Sequence, residues 1–152
     1  MVRRYRKRSF RGPRDKYSVE QSAFNLELTS ASTTVSQVVV PGVNLEGMRK
    51  VKHLTVSLQM TTAVGCWWAL VYVPQGTSPN ALNITSGQPL YEPNQFVMNC
   101  GVVDADAGPI RFTSPLSRNL NSGDSIVLLL RPTTSVTSNA ANGVVRYAVT
   151  LQ

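Results

Sequence analysis

The chain is predicted to be all-β: a single eight-stranded antiparallel jelly-roll sandwich carrying a basic N-terminal arm. Three observations predict it. Helical periodicity is weak from residue 23 onward, while β-branched and aromatic residues are abundant. Turn-forming clusters recur between short apolar runs, at 41–42, 74–80, 104–108, 121–123 and 138–143. The charge is concentrated at one end. Of fifteen Lys and Arg residues, eight fall in the first seventeen positions, opposed there only by Asp15.

The arm is taken as 1–22. It holds Arg3, Arg4, Arg6, Lys7, Arg8, Arg11, Arg14 and Lys16, interleaved with Tyr5, Phe10 and Tyr17. Guanidinium and ammonium groups at this density neutralise phosphates and release counterions, whatever the base sequence. Arg outnumbers Lys six to two, which suits bidentate phosphate contact. The three rings can stack on unpaired bases. A solubilising tail or an address signal is the plainer alternative, and a basic run of this kind is also what a nuclear localisation signal looks like.

The body, 23–152, is large enough for one core. Counted from Ser18 to Gln152, seven bases (Arg49, Lys50, Lys52, Arg111, Arg118, Arg131, Arg146) meet seven acids, Glu20 among them, so the chain beyond the first seventeen residues is formally neutral. Strands are expected at 23–29, 34–40, 50–62, 65–74, 95–103, 109–114, 124–131 and 143–151, and the 75–94 joint has room for a short extra strand near Leu90. In the third segment Leu54, Val56, Leu58 and Met60 alternate with His53, Thr55, Ser57 and Gln59, a strand with one wet face. The fourth and seventh segments are apolar on both faces. A sandwich has one core, so the second face is expected to meet a neighbouring subunit, the arm or an overlying loop. Arg49, Lys50 and Lys52 form a second, weaker basic patch at the start of the third strand, either continuing an anion path from the arm or guarding a strand edge.

Nothing argues for catalysis or a cofactor. His53 is the sole histidine, and no nucleophile motif accompanies it. No P-loop, dinucleotide fingerprint or metal-spaced Cys/His cluster occurs. Asp104 and Asp106 share a turn, where carboxylates are ordinarily just solvated, so no metal is assigned. Cys66 and Cys100 read as buried, reduced thiols. The apolar runs are far short of a membrane helix, and no secretory signal is expected. An immunoglobulin-type sandwich competes with the jelly roll, but here both Trp residues directly follow the first Cys in one strand.

The order of the pieces resembles a family. VRRYRKRSFRGPR (2–14), KVKHLTVSLQM (50–60) leading into WWALVYVPQG (67–76), and SRNLNSGDSIVLLLRP (117–132) are similar to the pattern of capsid proteins of small circular single-stranded DNA viruses. These are the circovirus-like group that encodes its own replication initiator. The chain is shorter than most of that family, so its surface loops would be trimmed. The resemblance implies a viral structural protein that self-assembles into an icosahedral T=1 shell of about sixty copies. Its arm would point inward onto single-stranded DNA and, before assembly, direct import into the host nucleus through import receptors. Satellite-type RNA virus coat proteins share the architecture and are similarly short, and a non-shell single-stranded nucleic-acid-binding β-domain is the third reading. The first seventeen residues carry 8 − 1 = +7, so about sixty copies would hold on the order of 400 positive charges. Encoding this chain alone takes 3 × 152 = 456 nucleotides. The arms are therefore expected to neutralise the cargo incompletely, leaving a share to Lys50, Lys52 or small cations.

Overall fold

In a computed structural model, residues 17–29, 33–79, 96–104 and 109–151 are described. The expected extra strand near Leu90 lies outside them. Nine strands and no helix occur among the described residues: β1 Ser18–Leu28, β2 Val35–Val40, β3 Arg49–Met60, β4 Cys66–Val73, β5 Phe96–Val103, β6 Ile110–Ser114, β7 Arg118–Leu120, β8 Ser125–Pro132 and β9 Asn139–Leu151. One sheet runs β1-β9-β3-β6, with β7 also on β3, and the other runs β2-β8-β4-β5. Every pairing is antiparallel. The chain crosses repeatedly between the two sheets, and that wrapping is the jelly roll.

The ninth strand, β7 at Arg118–Leu120, falls between the expected 109–114 and 124–131 segments and is not among the eight expected. β6 pairs with 54–58 of β3, and β7 pairs with 49–51 along the same edge. Together they form one edge strand interrupted at 115–117. The interruption faces a defect in β3, where the register with β9 slips between Lys52 and Thr55 and His53 takes φ = 54°. This is a β-bulge whose left-handed residue is ordinarily Gly. It resets the alternation of β3: Val51 and Leu54 both face the core although three residues apart, while Lys52 is half-buried and His53 exposed on the other side.

The first strand starts at Ser18, five residues before the expected 23. Residues 18–22 are thus paired with β9 rather than belonging to a free arm. The core between the sheets is built from Leu26, Leu28, Val56, Leu58, Leu70, Phe112, Leu128, Leu130 and their neighbours. Trp68 of β4 meets Phe112 of β6 with ring centroids 4.6 Å apart, which ties one sheet to the other.

The second apolar face also exists, but it is closed. Ala69, Val71 and Val73 of β4 and Val127 and Leu129 of β8 form their own cluster with Trp67, Val97 and Cys100, and Val71 and Leu129 are each 1% exposed. Of the covers expected for this face, a neighbouring subunit is not needed to bury the cluster. The cysteines follow from the same geometry. Cys66 lies in the inter-sheet core and Cys100 packs on the opposite side of the sheet, so they do not pair, and both are free. Burial pushes the Cys66 thiol up to about 11, which keeps it protonated and unreactive near neutral pH.

At Gly143, in the middle of β9, a close approach explains the residue. Phe24 lies directly across on β1, and its ring covers the glycine so tightly that a Cβ would sit 2.2 Å from Cζ. Gly143→Ala is expected to destabilise the protein by about 1–3 kcal/mol. In chemical denaturation, pairing it with Phe24→Ala should recover part of that loss, because the smaller side chain removes the clash.

Candidate nucleic-acid interface

The strand register turns a list of basic residues into a surface. Directly opposed residues on neighbouring antiparallel strands share a face. In the β1-β9-β3-β6 sheet the inward set includes Val51, Leu54, Val56, Leu58, Phe112, Val145, Tyr147 and Val149, all buried. The outward set then includes Lys50, opposite Thr150 and Asn119; Lys52, opposite Ala148; Arg146, opposite Thr55; and Arg111, opposite Ser57.

Tyr17, the first described residue, is half-buried at the entrance to β1, with Lys52 Nζ 4.8 Å from its ring centroid. This cation–π contact reaches across β9, which separates β1 from β3. Tyr17, the residue at which the arm joins the body, is therefore seated against the body beside Lys52. The other arm residues singled out above (Arg3, Arg4, Tyr5, Arg6, Lys7, Arg8, Phe10, Arg11, Arg14 and Lys16) lie outside the described residues.

Arg49 does not belong to this surface, which corrects the expected Arg49–Lys50–Lys52 patch. It points inward, 6% exposed, and its Nη2 donates to the carbonyls of Pro41 at 2.8 Å and Asp124 at 3.4 Å. A buried guanidinium needs acceptors, and these two carbonyls supply them. By fixing Arg49 inward they also set the alternation that turns Lys50 outward.

The same end of the sandwich is organised by Asp124, in the turn before β8. Its carboxylate accepts from Tyr72 Oη at 2.5 Å, from the Asn121 amide at 2.8 Å and from the Gln75 amide at 3.1 Å. Burial works against its charge, but these hydrogen bonds outweigh it and hold the carboxyl below its ordinary value. Burial and the neighbouring carboxylate push the Tyr72 phenol up. The Arg118 guanidinium lies 4.3 Å from the Tyr72 ring centroid, so it too is turned inward from the edge of the sheet. Further along, Tyr147 donates its hydroxyl to Glu20 of β1, and burial followed by that carboxylate raises the Tyr147 phenol far above its usual range.

Arg111 and Arg146 are the two outward bases that the sequence reading left unassigned. The signal for both was local alternation. Arg111 sits between Ile110 and Phe112, and Arg146 between Val145 and Tyr147, each flanked by core residues that force it to the opposite face. His53 is exposed at the bulge and contacts no carboxylate or hydroxyl among the described residues. Asp104 is exposed, and Asp106 lies outside the described residues. No group of three or more His, Cys, Asp or Glu with metal-ligand placement occurs among the described residues.

No protein-family model matches this chain, and no curated protein matches it.

Proposed function

We propose that the chain is the subunit of a small icosahedral shell that packages single-stranded nucleic acid, DNA in preference to RNA, through its Arg-rich arm. The observation that carries this reading is the junction between arm and body. Eight bases opposed by one acid are attached to a formally neutral jelly roll, and the attachment point, Tyr17, is seated beside Lys52. A polycationic segment tethered to a compact body gathers polyanion without demanding a base sequence, as a packaging protein must. The jelly roll adds support, because viral coat subunits are one of its recurrent uses. In this reading the chain acts in the virion, and in the host nucleus before assembly.

A second reading has its own observation. The outer apolar cluster of β4 and β8 is closed within one chain, so the subunit does not require neighbours to hide it. That favours a monomeric or dimeric module coating single strands. Sedimentation and electron microscopy of the purified protein separate the two. Spherical particles of one size, holding nuclease-protected nucleic acid, are the result expected for a shell subunit. A monomer at every salt and protein concentration that still binds single-stranded oligonucleotides assigns the chain to the second class. Sequencing the protected strand decides between DNA and RNA.

A further inference from the structure

We infer that the outward face of the β1-β9-β3-β6 sheet is a second polyanion-binding surface, built by Lys50, Lys52, Arg111 and Arg146, along which single-stranded nucleic acid continues from the arm. The inference rests on the nucleic-acid reading above and extends it from the arm to the body.

The neutrality of the body is a property of its total, not of its faces. Glu20 is exposed but lies opposite inward-facing Tyr147, whose hydroxyl it receives, and Asp124 is buried in its hydrogen-bonded turn. Glu46 sits in the segment before β3, and Asp104 follows β5 in the other sheet. Among the described acids, only Glu27 takes an outward position on this sheet. It lies at the far end of β1, opposite Ala140, where Ser138 donates to it. Two bases, Arg49 and Arg118, are also turned inward. The remainder is four cations against one distant, hydrogen-bonded carboxylate.

The four are spread rather than stacked. Each lies opposite an uncharged residue (Thr150 and Asn119, Ala148, Ser57, Thr55 and Gln21), so like charges are not placed side by side across the ladder. From the Lys50 row to the Arg111 row the cations span seven residues of β3, or about 20 Å of strand. No carboxylate pairs with any of them among the described residues, and Lys52 lies over the Tyr17 ring. Between them lie small or hydrogen-bonding residues, Thr55, Ser57, Thr113, Asn142 and Ala148, together with two exposed valines, Val19 and Val144. This is a positively charged surface of mixed polarity that begins beside Tyr17, the residue at which the arm joins the body. Its complement is a flexible chain of phosphates, for which Arg and Lys supply the contacts and the hydroxyls the fit.

The test uses the full chain and a single-stranded oligothymidylate, titrated at several NaCl concentrations. Four forms are compared: the unchanged protein; a face variant with Lys50→Gln, Lys52→Gln, Arg111→Gln and Arg146→Gln; an arm variant with its eight bases changed to Gln; and the combination. Each contacted phosphate adds about 0.7 to the slope of log affinity against log salt for a single strand. The face variant is expected to lose about 2–3 from that slope at an unchanged melting temperature, the arm variant to keep a weak salt-dependent remainder, and the combination to lose it. Should the quadruple change disturb folding, Arg111→Gln with Arg146→Gln is expected to lose about 1–1.4 of slope, since neither side chain makes a hydrogen bond or ion pair among the described residues.

An unaltered slope in the folded face variant, with no residual binding by the arm variant, overturns the inference and leaves the shell reading standing. Failure of the unchanged protein to bind the oligonucleotide at any salt removes both. A face variant altered only in binding phosphatidylserine vesicles, or only in self-association, also overturns it, by assigning the surface to a membrane or to a second copy.

Discussion

Asp124→Ala is expected to cost the fold about 3 kcal/mol, the largest loss from any single substitution proposed here. The side chain gathers one hydroxyl and two backbone amides from three separate segments, Tyr72 on β4, Gln75 after it and Asn121 after β7. Removing it leaves three donors in or near a buried environment without their acceptor. Each unsatisfied buried group costs about 1–3 kcal/mol, moderated where water can reach the amides. Asp124→Asn keeps an acceptor and loses the charge, so its cost should be smaller, about 1–2 kcal/mol. The pH dependence has a definite sign. The folded carboxyl is held below its ordinary 3.8, so its ionised form stabilises the protein fully above that value. The contribution drains away as pH falls below about 4 toward the folded-state value. Urea titrations followed by Trp fluorescence should therefore show the gap between the unchanged protein and Asp124→Asn narrowing from pH 7 to pH 3. A gap independent of pH would assign the loss to packing and not to the charge.

The architecture was legible because strand faces are written in alternation. Leu54, Val56 and Leu58 predicted a half-buried strand, and the paired apolar faces of 66–73 and 126–130 predicted two layers of cover. What covers the second layer was not legible, since periodicity records that a face is apolar and nothing about which atoms meet it. The bulge at His53 was half-visible. Val51 and Leu54 are three apart, which breaks a period of two, but a non-glycine residue in the left-handed region carries no sequence mark. Arg49 was misplaced for a different reason. Its partner carbonyl at Asp124 is 75 residues away, and a base beside two other bases looks like a patch until long-range register shows which way it turns. The same register gathers Arg111 and Arg146 with Lys50 and Lys52. Each could be assigned to an outward position from its own neighbours. Their common face required knowing that β9 and β6 flank β3.

Deleting residues 1–16 is expected to lower affinity for single-stranded oligonucleotides at least about 100-fold near physiological salt, and to reduce the salt slope by about 5. The segment carries eight bases and one acid, against four outward cations on the sheet. At about 0.7 per phosphate contact, the arm dominates the slope and the sheet accounts for the remainder. Stability should change by less than about 0.5 kcal/mol, because β1 begins at Ser18 and its whole ladder with β9 lies beyond the cut. Keeping Tyr17 matters, since its ring holds Lys52. The decisive comparison is between cargo and particles. In the proposed shell the deleted protein should still form particles of the original diameter, now with an absorbance ratio of protein alone, because the sandwich is complete without the arm. Loss of particles together with loss of cargo would show that the arm also joins subunits. Binding that persists at nearly its original strength would move the main nucleic-acid contact from the arm to the face of the sheet.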